Sequence, residues 1–72
     1  MDKEQFLIDL AEILEEDSVQ ESDVLKDFDA WDSLSILSIL SYASEHYHIQ
    51  LKNEDIRSQN TVGDLIHLIA GK

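Results

Sequence analysis

The chain has 72 residues, with 16 Asp and Glu against 5 Lys and Arg, a formal charge of −11 with its histidines neutral. This balance argues against nucleic acid, whose phosphates are bound by clustered Lys and Arg, and against docking on an anionic membrane. Basic protein surfaces are the expected partners, drawn in by a long-range field that salt weakens. No apolar run approaches the roughly 20 residues of a membrane span. The opening Met1-Asp2-Lys3-Glu4 lacks the basic region and apolar stretch of a signal peptide, so the cytoplasm is the expected compartment. Cysteine is absent, which removes disulfides, thiolate metal sites and cysteine nucleophiles together. At 43% hydrophobic residues the chain is still ordinary for a globular protein, and residues 1–72 are expected to form one domain.

Proline is absent and glycine occurs twice, so helices meet few breakers. From about Asp2 to Glu16, Phe6, Leu7, Leu10, Ile13 and Leu14 form the apolar stripe of an amphipathic helix. Asp9, Glu12, Glu15 and Glu16 take its other side. Periodicity stops from Asp17 to Asp32, where Asp17-Ser18 and Glu21-Ser22-Asp23 are turn and capping residues. Val24, Leu25, Phe28 and Trp31 punctuate this loop and are expected to pin it across a core. Loops of this length in compact domains are often functional.

Asp32 is a good N-cap for a second helix over Ser33 to Tyr47. At about 100° per residue, Ile36, Leu37, Ile39, Leu40, Ala43 and Tyr47 share one side of it, and Leu34, Ser38, Ser41, Tyr42 and Glu45 the other. His46 and His48 close it, favourably placed at the helix's negative end when protonated. Ile49 and Leu51 are inward anchors in the connection. Residues Asn53 to Arg57 make a short helical turn with Asn53 as its cap. Thr61-Val62-Gly63-Asp64 is a capping box with Asp in place of Glu, opening a last helix with Leu65, Ile66, Leu68 and Ile69 before Gly71. The expected fold is all-α, a small four-helix bundle of three longer helices and one short one, with a long loop after the first.

Catalysis lacks its parts. His46 and His48 are two apart, and on a helix that spacing points them away from each other, so no metal site is expected with the remote His67. An EF-hand loop begun at Asp27 would need Gly at position 32 and Glu at position 38, where Asp32 and Ser38 stand. Ser33 has no flanking glycines of a nucleophile elbow, and no Gly-rich phosphate loop exists. The chain is not expected to be an enzyme. Ser33 nonetheless stands at the first turn of the second helix, directly after an acidic, aromatic loop. It either belongs to the cap alone or is a modification site, where a phosphodiester would face unpaired N–H groups and the helix dipole. The Asp32 carboxylate would oppose that charge unless a metal ion or solvent intervened.

Trp31-Asp32-Ser33-Leu34, placed between the long loop and the second helix, resembles the modification motif of the acyl carrier proteins. The resemblance runs through nearly the whole chain, including the acidic first helix, Tyr47-His48-Ile49, Asn53-Glu54-Asp55-Ile56 and Thr61-Val62-Gly63-Asp64-Leu65. It implies a carrier without catalysis of its own. A phosphopantetheinyl transferase, with coenzyme A and magnesium, would attach 4′-phosphopantetheine to Ser33, with Asp32 supporting the metal. The arm's thiol would carry acyl or aminoacyl groups as thioesters to loading and processing enzymes of fatty-acid, polyketide or nonribosomal peptide type. Leu34 would contact those partners, which agrees with its place away from the core side of the helix.

Departures from the family pattern bear on partner choice. Where the fatty-acid carriers have several acids along the second helix, this chain has Ser35, Ser38, Ser41 and Ser44, with acid returning at Glu45. Either this is a solvated face, or it is a partner surface of hydroxyls with Leu34 and Tyr42. Trp31 replaces a small residue, and His48 a position often held by glycine. A specialised, free-standing, monomeric carrier is expected, with a non-catalytic acidic interaction module as the alternative and an acidic mimic of nucleic acid as a more distant one.

A core this small leaves little net stability, and carboxylate self-repulsion lowers it. Salt should therefore stabilise the fold: between low ionic strength and about 0.5 M NaCl the thermal midpoint, followed by circular dichroism, should rise by about 5 °C.

Overall fold

A computed structural model describes residues 1–71. Its regular elements are helices, in the order α1 (Lys3–Ile13), a single 3₁₀ turn (Leu25–Asp27), α2 (Ser33–Tyr47), α3 (Asn53–Arg57) and α4 (Val62–Ala70). No helix among the described residues is long and apolar enough to cross a membrane. α2 packs against both α1 and α3.

The apolar stripes meet in one buried cluster. α1 supplies Phe6, Leu10 and Ala11, followed by Leu14; α2 supplies Ile36, Ile39 and Ala43; α3 adds Ile56, and α4 adds Val62, Leu65, Ile66 and Ile69. Each fully buried Leu or Ile contributes about 1.5–3 kcal/mol of transfer free energy. Ile49 and Leu51 rest half-buried against this cluster, as their spacing implied.

The long loop is pinned as expected, but partly by other residues. Val19 and Leu25 are buried, Phe28 and Trp31 half-buried, and Val24 is exposed. Backbone bonds account for the difference. Leu25 N–H donates to the Asn60 carbonyl, Val62 N–H to Asp23, and Gly63 N–H to Glu21, at 2.9–3.0 Å. These stitch the loop to the start of α4 and turn Val24 outward while Leu25 goes in. Thr61 and Asp64 form the anticipated reciprocal cap.

Helix ends account for further differences. α1 stops at Ile13, short of Glu16, because Glu15 adopts a left-handed conformation (φ 58°). The Glu16 N–H then folds back to the Ala11 carbonyl at 2.9 Å, satisfying a helix end that carries no glycine. α2 ends similarly at His48 (φ 55°), which explains physically why glycine suits this position. The short α3 spans Asn53–Arg57 as expected, but Lys52, not Asn53, is its cap residue, and the Asp55 carboxylate accepts the Lys52 N–H at 2.9 Å.

Three residues of α2 sit differently from expectation. Leu37 is exposed, Ser35 is buried, and Tyr42 is half-buried, with its ring tilted against Phe6 at 5.8 Å between centroids. The Tyr42 hydroxyl donates to Asp9 Oδ2 at 2.6 Å, drawing Asp9 out of the solvated face of α1. Burial first, and then this bond to Asp9, raise the Tyr42 pKa far above its ordinary value. The same bond, followed by one from the Gln5 amide, lowers that of Asp9.

The two shifts set opposite limits. The Asp9 contribution is present above the ordinary carboxylate value of 3.8 and fades as pH falls below it, whereas that of Tyr42 holds below 10.0 and fades at higher pH. Tyr42→Phe should therefore lose about 1 kcal/mol at neutral pH. In urea titrations across pH, that deficit should shrink toward both extremes; a deficit independent of pH would show that ring packing alone is at work.

Candidate functional site around Ser33

α2 begins abruptly because its first turn is clasped from both sides. Asp32 is extended (φ −144°, ψ −172°), and its Oδ1 accepts the Ser35 N–H at 3.0 Å. In return Ser35 Oγ accepts the Asp32 N–H and donates to the Asp32 carbonyl, each at 3.0 Å. The expected N-cap is thus present, and the buried Ser35 is its reciprocal half. Asp32 Oδ2 takes no hydrogen bond among the described residues.

This clasp leaves Ser33 and Leu34 outside. Ser33 is exposed, and Leu34 is the most exposed of the large apolar residues at 74%. Beside Ser33 runs a groove lined by Lys26, Trp31, Asp32, Ser33, Ile36 and Arg57. The Arg57 guanidinium, on α3, donates from Nη2 to Ser33 Oγ at 3.3 Å. Because the hydroxyl only accepts in this contact, its own proton stays available to a base. Sequence reasoning missed both Lys26 and Arg57, since neither belongs to a motif and only the fold brings them to Ser33.

The remaining expected site residues lie one to three turns along α2. Leu34, Ser38, Ser41, Tyr42 and Glu45 line one groove together with Ile13 and Leu37. Ser38 Oγ donates back to the Leu34 carbonyl at 3.0 Å. Tyr42 contributes from a half-buried position, fixed by Asp9. Ser35 does not reach this face, so the exposed hydroxyl row is Ser38, Ser41 and Ser44. The histidines lie apart from Ser33: the His46 ring lies 4.5 Å from that of Tyr42, His48 ends α2, and His67 is exposed on α4.

The fold is thus a small helical bundle that presents an exposed serine at the head of its second helix, after a long pinned loop. The chain is 32% identical over 75 residues to the acyl carrier protein of Beutenbergia cavernae, covering 96% of this chain and 92% of that one. It is 31% identical over 77 residues to the acyl carrier protein of Acidothermus cellulolyticus, covering 97% and 90%. No family model matches, and no solved structure does. The chain belongs to the acyl carrier protein family.

The clasp and the exposed serine have separable roles. Ser35→Ala should cost about 1 kcal/mol by leaving the Asp32 N–H without its partner, and should speed amide exchange in the first turn of α2. Ser33→Ala should leave urea stability nearly unchanged. Equal losses would mean that the Arg57 contact to Ser33 holds the fold as firmly as the clasp does.

Proposed function

We propose that Ser33 is the attachment point of 4′-phosphopantetheine and that the chain carries acyl or aminoacyl groups between enzymes in the cytoplasm. The observation that carries this reading is the exposed Ser33 hydroxyl, held at the clasped start of α2 with Arg57 as its only hydrogen-bond partner among the described residues. The environment suits the group: one cation touches the oxygen that would bear the phosphate, a second lines the same groove, and Trp31 and Ile36 offer apolar surface beside them. When bound, the arm supplies the thiol that holds cargo as a thioester, a function for which this cysteine-free chain has no side chain of its own.

In loading, Ser33 Oγ attacks the pantetheine-side phosphorus of coenzyme A. The new Oγ–P bond replaces the bond to the adenosine bisphosphate half, which leaves, and the hydroxyl proton passes to a base of a separate phosphopantetheinyl transferase. The unpartnered Oδ2 of Asp32 would support the magnesium ion that the transferase brings.

Partner recognition falls to the α2 face. Leu34 and Leu37 give it two exposed apolar side chains, Ser38 and Ser41 give hydroxyls, Glu45 a charge, and Tyr42 a fixed aromatic edge. Such a face selects partners more by shape and hydrogen bonding than by charge, which supports a specialised pathway. Leu37, expected inside the core, strengthens this surface.

The test is intact mass after incubation with coenzyme A, magnesium and a broad-specificity phosphopantetheinyl transferase. The native protein should gain one phosphopantetheine and Ser33→Ala none. A protein shown by circular dichroism to be folded, unmodified at the start and still unchanged in mass with several transferases would overturn the reading and favour an armless interaction module.

A further inference from the structure

The groove beside Ser33 is unusual in its charge. The chain has 16 acids and only 5 Lys and Arg, yet two of those five, Lys26 and Arg57, line this one groove. They come from elements far apart in sequence, the 3₁₀ turn and α3. The only ion pair among the described residues joins Lys3 to Glu21 at 3.4 Å, so neither Lys26 nor Arg57 is neutralised by a carboxylate there. Arg57 instead spends a donor on a neutral hydroxyl at 3.3 Å, a weak use for a guanidinium in so acidic a chain. Asp32, the carboxylate lining the groove, has its Oδ1 engaged by the Ser35 N–H.

We propose that Arg57, assisted by Lys26, is the counter-charge for the phosphodiester on Ser33 and seats the root of the arm in this groove against Trp31. The inference rests on the modification of Ser33 proposed above. Modification attaches a phosphodiester to the very oxygen that Arg57 touches and places two anionic non-bridging oxygens next to it, converting a contact with a neutral acceptor into an ion pair with geometry suited to a planar fork. The two cations also offset the Asp32 carboxylate in the same groove, which would otherwise repel the new charge. Trp31, half-buried in the same groove, is the chain's single tryptophan and reports on whatever settles there.

The experiment compares the unmodified and fully loaded forms of the native protein, Arg57→Gln, Lys26→Gln and Arg57→Lys, each confirmed by intact mass. Trp31 emission and the thermal midpoint are read at low salt and at about 0.5 M NaCl. Loading should shift Trp31 emission in the native protein and raise its midpoint by about 2–4 °C, the size expected of an exposed charge contact. Arg57→Gln should lose most of both changes, Lys26→Gln part of them, and high salt should reduce them, while Arg57→Lys keeps the midpoint gain in part. Loading effects of equal size in the native protein and Arg57→Gln would overturn the proposal while leaving the carrier reading intact. Failure of the native protein to load would defeat the carrier reading itself. If Arg57→Gln alone resists loading and Arg57→Lys does not, the need for a cation beside Ser33 is supported; if both resist, Arg57 serves the transferase and the proposal falls.

Discussion

The reciprocal clasp between Asp32 and Ser35 is the constraint on which the site depends. Packing of Ile36, Ile39 and Ala43 into the core sets the rotation of α2, but packing alone does not say where the helix begins. The three 3.0 Å bonds of the clasp decide that. They satisfy two orphan N–H groups of the first turn and force the chain from extended to helical between Asp32 and Ser33. With start and rotation both fixed, Ser33 and Leu34 have only outward positions left. A serine held this way is exposed to a partner enzyme, which suits the proposed attachment of the arm.

A second constraint, the stitching of the loop to α4, completes the surroundings of Ser33. The bonds from Leu25, Val62 and Gly63 to Asn60, Asp23 and Glu21 fix the loop beside the start of α4. Gly63 permits this approach: a Cβ there would meet the Glu21 carbonyl at 3.3 Å, tighter than ordinary contact. Leu25, fully buried, anchors the next residue, Lys26, within reach of the groove. Ile56, also fully buried, does the same for Arg57 on α3. Each cation is thus the exposed neighbour of a core anchor, so the core that stabilises the bundle also sets the charges around Ser33.

What could be read from the sequence follows from which signals are local. The amphipathic stripe of α1, the bounds of α2, the Thr61–Asp64 cap and the Asp-Ser-Leu motif are all local patterns, and the fold contains them. The left-handed ends at Glu15 and His48 carry no such signal, because the residues that usually announce them, glycine or asparagine, are missing there. Leu37 and Ser35 exchanged their expected environments because a helical wheel weighs hydrophobicity alone. The clasp draws Ser35 inward through hydrogen bonds that offset the cost of burying its hydroxyl. Tyr42 likewise has a polar tip that needed Asp9, thirty-three residues away, to settle half-buried. Arg57 and Lys26 were the least legible, since two isolated cations mean nothing until the fold brings them to one groove.

The charge distribution then acts on two length scales. Beyond about 8–10 Å, the screening length at physiological salt, a basic partner senses a strongly acidic body and is drawn toward it. Beside Ser33 the groove gathers Lys26 and Arg57 around the Asp32 carboxylate, and in the proposed arrangement these two cations offer an anion its seat. A uniformly acidic surface would attract a basic enzyme but repel the anionic substrate and the anionic product of modification. A basic one would reverse both effects. Gathering two of the five Lys and Arg in one groove, each anchored through a buried neighbour, separates the two requirements. The acidity of the chain and the small basic patch beside its serine are therefore complementary parts of one electrostatic arrangement.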